Sequence, residues 1–305
     1  MAFMLTKNDL ALLASVAENR ILTVTQIAAV QGRRKQVIRR RLRELERAGL
    51  THSDNGALGR SRGRPEKQIS LTKKGAALLC ARFPALREIP NDRLTADKLR
   101  CVDHQVAINW FGIHLRHLEH VLPELSVRFV SNVSPFRIGT CESFVPKQGA
   151  AEDHRELKEF APDGVFSISH ESKGKTLLFF LEVDMGTESI ASVGRGPRDL
   201  RQKILNYQHL FQEQKYKSYE TIWDCHLAGF RLLFLTTTGA RMAAICNLIQ
   251  SIPPSGFIWV TTLEQMFSHG LSGKIWVRGG KSNVPKESIL GSEMAAHASI
   301  IRPKD

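Results

Sequence analysis

Cysteine is scarce in this chain and poorly spaced for structural use. There are five in 305 residues (Cys80, Cys101, Cys141, Cys225 and Cys246), an odd number, far apart, with no C-x-x-C. That pattern argues against a disulfide framework or a structural zinc and points to a reducing compartment. Long apolar runs are missing as well. The run at residues 177–181 (LLFFL) is far below the ~20 residues that a membrane-spanning helix needs. The N-terminus has no basic n-region, and Lys7 and Asp9 interrupt its apolar residues, so no signal peptide is expected. Aromatic residues are few and not interleaved with the basic stretch, which leaves no stacking platform for RNA. The expectation is a soluble, cytoplasmic chain without a membrane partner, long enough for two domains.

Acidic residues are short in one place only. Residues 1–100 hold 21 Lys+Arg against 9 Asp+Glu, a net +12, while residues 101–305 hold 22 against 21, a net +1. The formal charge of +13 is therefore almost all in the first third, as in a nucleic-acid-binding module joined to a part with another task. The centre of that charge is residues 33–50, RRKQVIRRRLRELERAGL. On a helical wheel Ile38, Leu42 and Leu45 form an apolar stripe, and Arg33, Gln36, Arg39, Arg40, Arg43 and Arg47 crowd the other side. Most charge runs are solvated faces neutralised by i,i+4 pairs. Here only Glu44 and Glu46 answer eight basic residues, so that explanation falls short. Guanidinium groups and an amide suit phosphates and the edges of guanine and adenine.

The first 95 residues read helix, helix, turn, helix, then two short strands around a loop and a last helix. Thr23 and Thr72 are placed as helix caps, and Gly32 supplies the turn before the basic helix. The order, with R-x-L-x-x-L-x-x-A-G-L ending at Leu50 and L-T-K-K-G-A-A-L-L at residues 71–79, resembles the winged helix-turn-helix of bacterial regulators. That resemblance implies a double-stranded DNA partner, with the third helix in the major groove. Arg33, Arg34, Lys35, Gln36, Arg39 and Arg40 are then expected at base edges and nearby phosphates, and Arg43 farther along at phosphate. In the loop at residues 54–67, Arg60, Arg62 and Arg64 include Arg-Gly-Arg-Pro, the core of an AT-hook, which suits a narrow A/T minor groove. A basic hairpin tip that only grazes phosphates fits the same residues.

Residues 94–120 read as one long helix, so the expected domains are 1–95, a connecting helix at 96–122, a second domain at 123–280 and a disordered tail at 281–305. His114, His117 and His120 recur at i+3 on that helix; without Asp or Cys nearby to complete a ligand set, a polar helix edge explains them better than a metal site. The second domain reads α-β-β-β-α-β followed by α-β additions, an α/β architecture. Its central strand, TLLFFLEVD at residues 176–184, is apolar until it ends in carboxylates. If the strands at 165–169 and 176–184 pair as a hairpin, Asp163 and Glu182 come together, and two carboxylates flanking a backbone carbonyl suit Mg²⁺.

Pro162-Asp163 followed by Glu182-Val183-Asp184 in that order resembles the PD-(D/E)XK, or restriction-endonuclease-like, fold. The resemblance implies that Asp163 and Glu182 hold a metal, with a Lys two residues past the Glu positioning the attacking water. Asp184 stands at that Lys position. In some members the Lys, or a Gln–Tyr pair, migrates to the following helix; residues 201–207 (RQKILNY) could supply it here, with Lys203 and Tyr207 at i,i+4 on one face. Taken whole, the N-terminal module with P-D-G-V-F, L-E-V-D-M-G-T-E and K-I-L-N-Y resembles the replication-relaxation family of plasmids and mobile elements. It implies action at an origin in replication or mobilisation. Catalytic roles would fall to Asp163, Glu182 and Lys203, and Mg²⁺ or Mn²⁺ would be held by Asp163, Glu182 and Asp184 if the site is active. The alternative is a non-enzymatic transcriptional regulator or relaxosome accessory factor with a decayed nuclease domain and no cofactor. A second copy of the chain and relaxosome or replication proteins are candidate partners.

Overall fold

Three threonines punctuate the first hundred residues, and each starts a helix. In the computed structural model, which describes residues 4–55, 66–97, 99, 101–134, 141–146, 155–190, 199–291 and 301, Thr6 forms a reciprocal capping box with Asp9 and opens α1 (Lys7–Asn19). A short strand β1 (Ile21–Thr23) follows, and Thr23 boxes with Gln26 to open α2 (Val24–Gln31). Gly32 ends α2 in the left-handed conformation at φ 61°, which glycine adopts without a Cβ clash. Then come α3 (Lys35–Arg47), β2 (Thr51–Asn55) and β3 (Lys67–Leu71). Thr72 accepts from the Gly75 N–H at 3.0 Å and starts α4 (Lys73–Arg82). The strands form an antiparallel sheet in the order β1-β3-β2. Leu13, Val16, Ile27, Ile38, Leu45 and Leu79 fill one core between helices and sheet.

The chain divides into two compact units, residues 1–113 with 133–137 and 301–305, and residues 114–132 with 138–300. The long helix, α5 (Val102–Val121), starts later than the pattern of apolar residues suggests. Residues 84–86 and 91–93 form separate 3₁₀ turns. Arg20 donates to the carbonyls of Asp92 and Thr95 at 2.9 and 2.8 Å, oxygens that a helix there would use for its own N–H groups. Within the first unit Gln26 donates to the Val106 carbonyl and Asn109 to the Ile21 carbonyl, so the start of α5 is docked by polar side chains.

The second unit is built on β4 (Leu125–Ser131), β7 (Gly164–His170) and β8 (Lys175–Asp184), an antiparallel trio. Between β4 and β7 the backbone forms its own hairpin, β5 (Cys141–Pro146) with β6 (Arg155–Phe160), where the sequence reads as loop. After β8 come α6 (Leu200–Gln212), α7 (Ser218–Trp223), β9 (Phe230–Thr236), α8 (Gly239–Gln250), β10 (Ile258–Thr262), α9 (Leu263–His269) and β11 (Val277–Arg278). The sheet runs β11-β10-β9-β8-β7-β4, with β8, β9 and β10 parallel. This makes the chain a mixed α/β protein. Leu178, Phe180, Leu232, Phe234 and Val260 pack against Ile204, Tyr207, Ile245 and Ile249 of α6 and α8. Each such buried side chain contributes about 1.5–3 kcal/mol.

The disordered tail expected from residue 281 is corrected for residues 281–291 only. Glu287 exchanges backbone hydrogen bonds with Trp276 at 2.8 and 3.1 Å, and Ser288 Oγ donates to the Ser272 carbonyl. Ile289 is fully buried. One apolar anchor and a bridge hold this segment through Gly291, too little to stand out in composition. Among the described residues no helix is long and apolar enough to cross a membrane.

Candidate functional site

The first candidate surface is α3. Ile38, Leu42 and Leu45 are its buried stripe, as the wheel requires. Arg33, Arg34, Gln36, Arg39, Arg40 and Arg43 are exposed, as is Arg47, and Lys35 is half-buried. Arg41 leaves this row: its guanidinium clasps the buried Asp9 and also meets Glu44. Asp9 therefore serves twice, as the capping residue of α1 and as the anchor that holds α3 against it. Although burial opposes it, Arg41 and Thr6 hold the Asp9 carboxyl below the usual range. Arg60, Arg62 and Arg64 lie outside the described residues.

The second is the end of the central sheet. Side chains alternate along β8, so Leu178, Phe180, Glu182 and Asp184 share the face toward α6 and α8, where the row turns from apolar to acidic. The hairpin register sets Gly164 opposite Leu181, which places Asp163 beside Glu182. Asp163 accepts from the Val183 N–H at 2.8 Å and from Asn132 Nδ2 at 3.3 Å. From α6, Lys203 Nζ reaches Glu182 at 3.0 Å and Glu188 at 3.1 Å, and Tyr207 donates its hydroxyl to Glu182 at 2.6 Å. The helix can do this because Leu200, Ile204, Tyr207 and Leu210 anchor one face on the sheet and Lys203 rides at its edge. Asp184 has another partner. Arg241, near the start of α8, holds it with Nε at 2.7 Å and Nη2 at 2.9 Å, and Nη2 also donates to the Glu188 carbonyl.

Burial raises the pKa of Glu182; Lys203 and Tyr207 oppose this, and the charge of Asp163 adds to it. For Lys203, burial would lower the pKa, but Glu182, Asp163 and Glu188 reverse the effect and hold it above the ordinary lysine value. The Arg241 guanidinium is likewise stabilised by its hydrogen bonds to Asp184. Among the described residues, four carboxyl groups thus meet two basic side chains in this network.

A family model described as replication-relaxation matches residues 13–224. The chain belongs to the replication-relaxation family. Membership suggests a role in plasmid replication and mobilisation, with DNA or replication proteins as partners. No curated protein matches the chain. The matched residues of this family member take in α3, Asp163, Glu182, Asp184 and Lys203, and end before Arg241.

Of the expected site residues, Asp163, Glu182 and Lys203 are brought together, and the three-carboxylate metal set is not. Among the described residues no group of three or more His, Cys, Asp or Glu is arranged to hold a metal ion. Asp184 is turned to Arg241 and Thr236 instead, because a guanidinium from α8 lies within bidentate reach of it. The sequence reading missed Arg241 and Asn132, which carry no local motif and reach the site only through the fold. His114 is a further correction: it is 1% exposed, inside the unit and edge-on to Phe267, rather than on a polar helix edge.

Proposed function

We propose that this protein is a cytoplasmic double-stranded DNA-binding protein acting at a plasmid origin, with a winged helix-turn-helix for recognition and a PD-(D/E)XK-like unit that nicks the duplex by metal-dependent hydrolysis. The exposed arginine row on α3, between a capped α2 and a three-stranded sheet, supports the DNA-binding half. The observation that carries the nuclease half is Lys203. It reaches Glu182 from α6 and so supplies, from the next helix, the cation that is missing two residues beyond that Glu.

Asp163 and Glu182 are the residues that would hold Mg²⁺ or Mn²⁺. The donor set fits, because hard carboxylate oxygens of Asp163 and Glu182 meet where adjoining strands pair. When bound, the ion supplies an activated water and charge stabilisation at the phosphate. Lys203 orients that water or steadies the phosphate, and Tyr207 fixes the Glu182 carboxylate. The test is a supercoiled plasmid carrying the cognate origin, incubated with Mg²⁺ or Mn²⁺. Nicking by the wild type and its loss in Asp163→Ala and Glu182→Ala is the expected result, and equal nicking by all three removes this site.

A second reading, a binder without catalysis, draws on one observation. Both oxygens of Glu182 accept from Lys203 and Tyr207, and both of Asp184 accept from Arg241, an arrangement sufficient for a purely structural ion-pair network. Metal titration separates the two.

A further inference from the structure

Asn132 follows directly on Ser131, the residue of β4 that pairs with Gly164, and therefore stands beside Asp163. Its backbone N–H donates to the Asp163 carbonyl at 3.0 Å, and its side-chain Nδ2 donates to the Asp163 carboxylate at 3.3 Å. The second bond fixes which end of the amide is which, since a carboxylate accepts only from the nitrogen. The other end, Oδ1, is buried and has no hydrogen-bond donor among the described residues. An amide oxygen buried in this way loses its water without gaining a donor, which disfavours the fold. Folded proteins retain such a group where a water or an ion completes it, or where it has a role. Here the orphan acceptor is on the side chain that touches Asp163, which the hairpin register places beside Glu182.

We infer that Asn132 is a third oxygen ligand, beside Asp163 and Glu182, for a divalent cation in this site, through Oδ1 directly or through one water that it holds. The inference rests on the metal-binding part of the proposed function. An amide carbonyl is a hard, neutral ligand of the kind that Mg²⁺, Mn²⁺ and Ca²⁺ accept. Its neutrality matters: it adds a donor without adding charge next to Asp163, whereas a carboxylate at the same place would repel Asp163 until a cation arrived. Asn132 also holds Asp163 through Nδ2, so one side chain orients a ligand and supplies another.

The test uses the full chain and Mn²⁺ alone, without DNA, by isothermal titration calorimetry and by the electron paramagnetic resonance signal of free Mn²⁺. Melting temperatures are taken in chelator and in Mn²⁺. Asn132→Ala is expected to weaken Mn²⁺ binding about tenfold and to shrink the Mn²⁺-induced rise in melting temperature. Asn132→Asp is expected to melt lower than wild type in chelator, yet to bind Mn²⁺ more tightly and show a larger rise. If Asn132→Ala binds Mn²⁺ as the wild type does while Asp163→Asn abolishes binding, the inference is overturned and the metal site stands. If the wild type itself takes no Mn²⁺, both fall. Should Asn132→Ala fail to fold, Asn132→Asp decides: tighter binding supports the role, and unchanged or weaker binding overturns it.

Discussion

Gly75 shows how much one missing methyl group can matter. A Cβ there would lie 2.1 Å from the carbonyl oxygen of Leu50, an atom that already accepts from the Thr72 N–H and is fixed by the end of the β2–β3 pairing. Backbone cannot swing aside as a side-chain tip can, so Gly75→Ala is expected to cost about 1–3 kcal/mol of stability. Urea unfolding checks this, and a loss within about 0.5 kcal/mol, typical of neutral surface changes, would mean that α4 shifts freely. Lys203 gives a second residue-scale prediction with a sign. In Lys203→Ala the buried Glu182 loses its counter-charge, so its folded-state pKa, already raised by burial, goes higher still. A carboxyl with a raised folded pKa favours the fold below its unfolded pKa, and that contribution is lost as pH rises through the folded value. The variant should therefore be destabilised more at pH 8 than at pH 5, by about 3 kcal/mol at the upper end. An equal loss at both would show that Lys203 does not set the state of Glu182.

The same reasoning applies to α5 through His114. Burial, with the neighbouring His117, lowers its pKa to about 4 from the ordinary 6.5. The unfolded chain takes up the proton first, so stability is full above pH 6.5 and declines as pH falls toward 4, by about 3 kcal/mol in all. His114→Phe, which keeps a ring beside Phe267, should flatten this part of the pH–stability profile of the second unit. A variant as acid-sensitive as the wild type would assign the sensitivity elsewhere. Elements like α5 also show what a linear reading can reach. The α3 stripe, the Thr23 and Thr72 caps, and the hairpin that joins Asp163 to Glu182 are local in sequence or follow a simple period, and they are where the pattern puts them. What was not legible depends on distant partners. Three-residue β1 becomes a strand only by pairing with β3, and the carbonyls of Asp92 and Thr95, ahead of α5, are taken by Arg20, more than seventy positions earlier. The β5–β6 hairpin hides in charged sequence because a two-stranded ribbon needs no long apolar run. Arg241 and Asn132 join the site across 57 and 31 residues, distances at which no periodicity carries information.

At the scale of the whole molecule the charge imbalance becomes a measurable division of labour. The net +12 of residues 1–100 should govern how duplex binding responds to salt, and the near-neutral remainder should contribute little. Each phosphate neutralised adds roughly 0.9 to the slope of log affinity against log salt. Replacing the exposed Arg39 and Arg40 together by alanine is then expected to flatten that slope by about 2 and to weaken binding to unrelated duplexes as well as to the origin. Arg41→Ala should behave differently: its guanidinium is spent on Asp9 and Glu44, so it should lower stability, most of it through a buried Asp9 left unpaired, and leave the slope nearly as it was. Asp163→Ala and Glu182→Ala should also leave the slope unchanged, since both positions lie in the near-neutral remainder and outside the net +12 of residues 1–100. Fluorescence anisotropy across a salt series distinguishes these cases. If the Arg39, Arg40 double variant keeps the wild-type slope, α3 is not the surface that meets phosphate. The charge of the first hundred residues would then have to act through other positions, while the acidic network keeps its own independent test in metal binding.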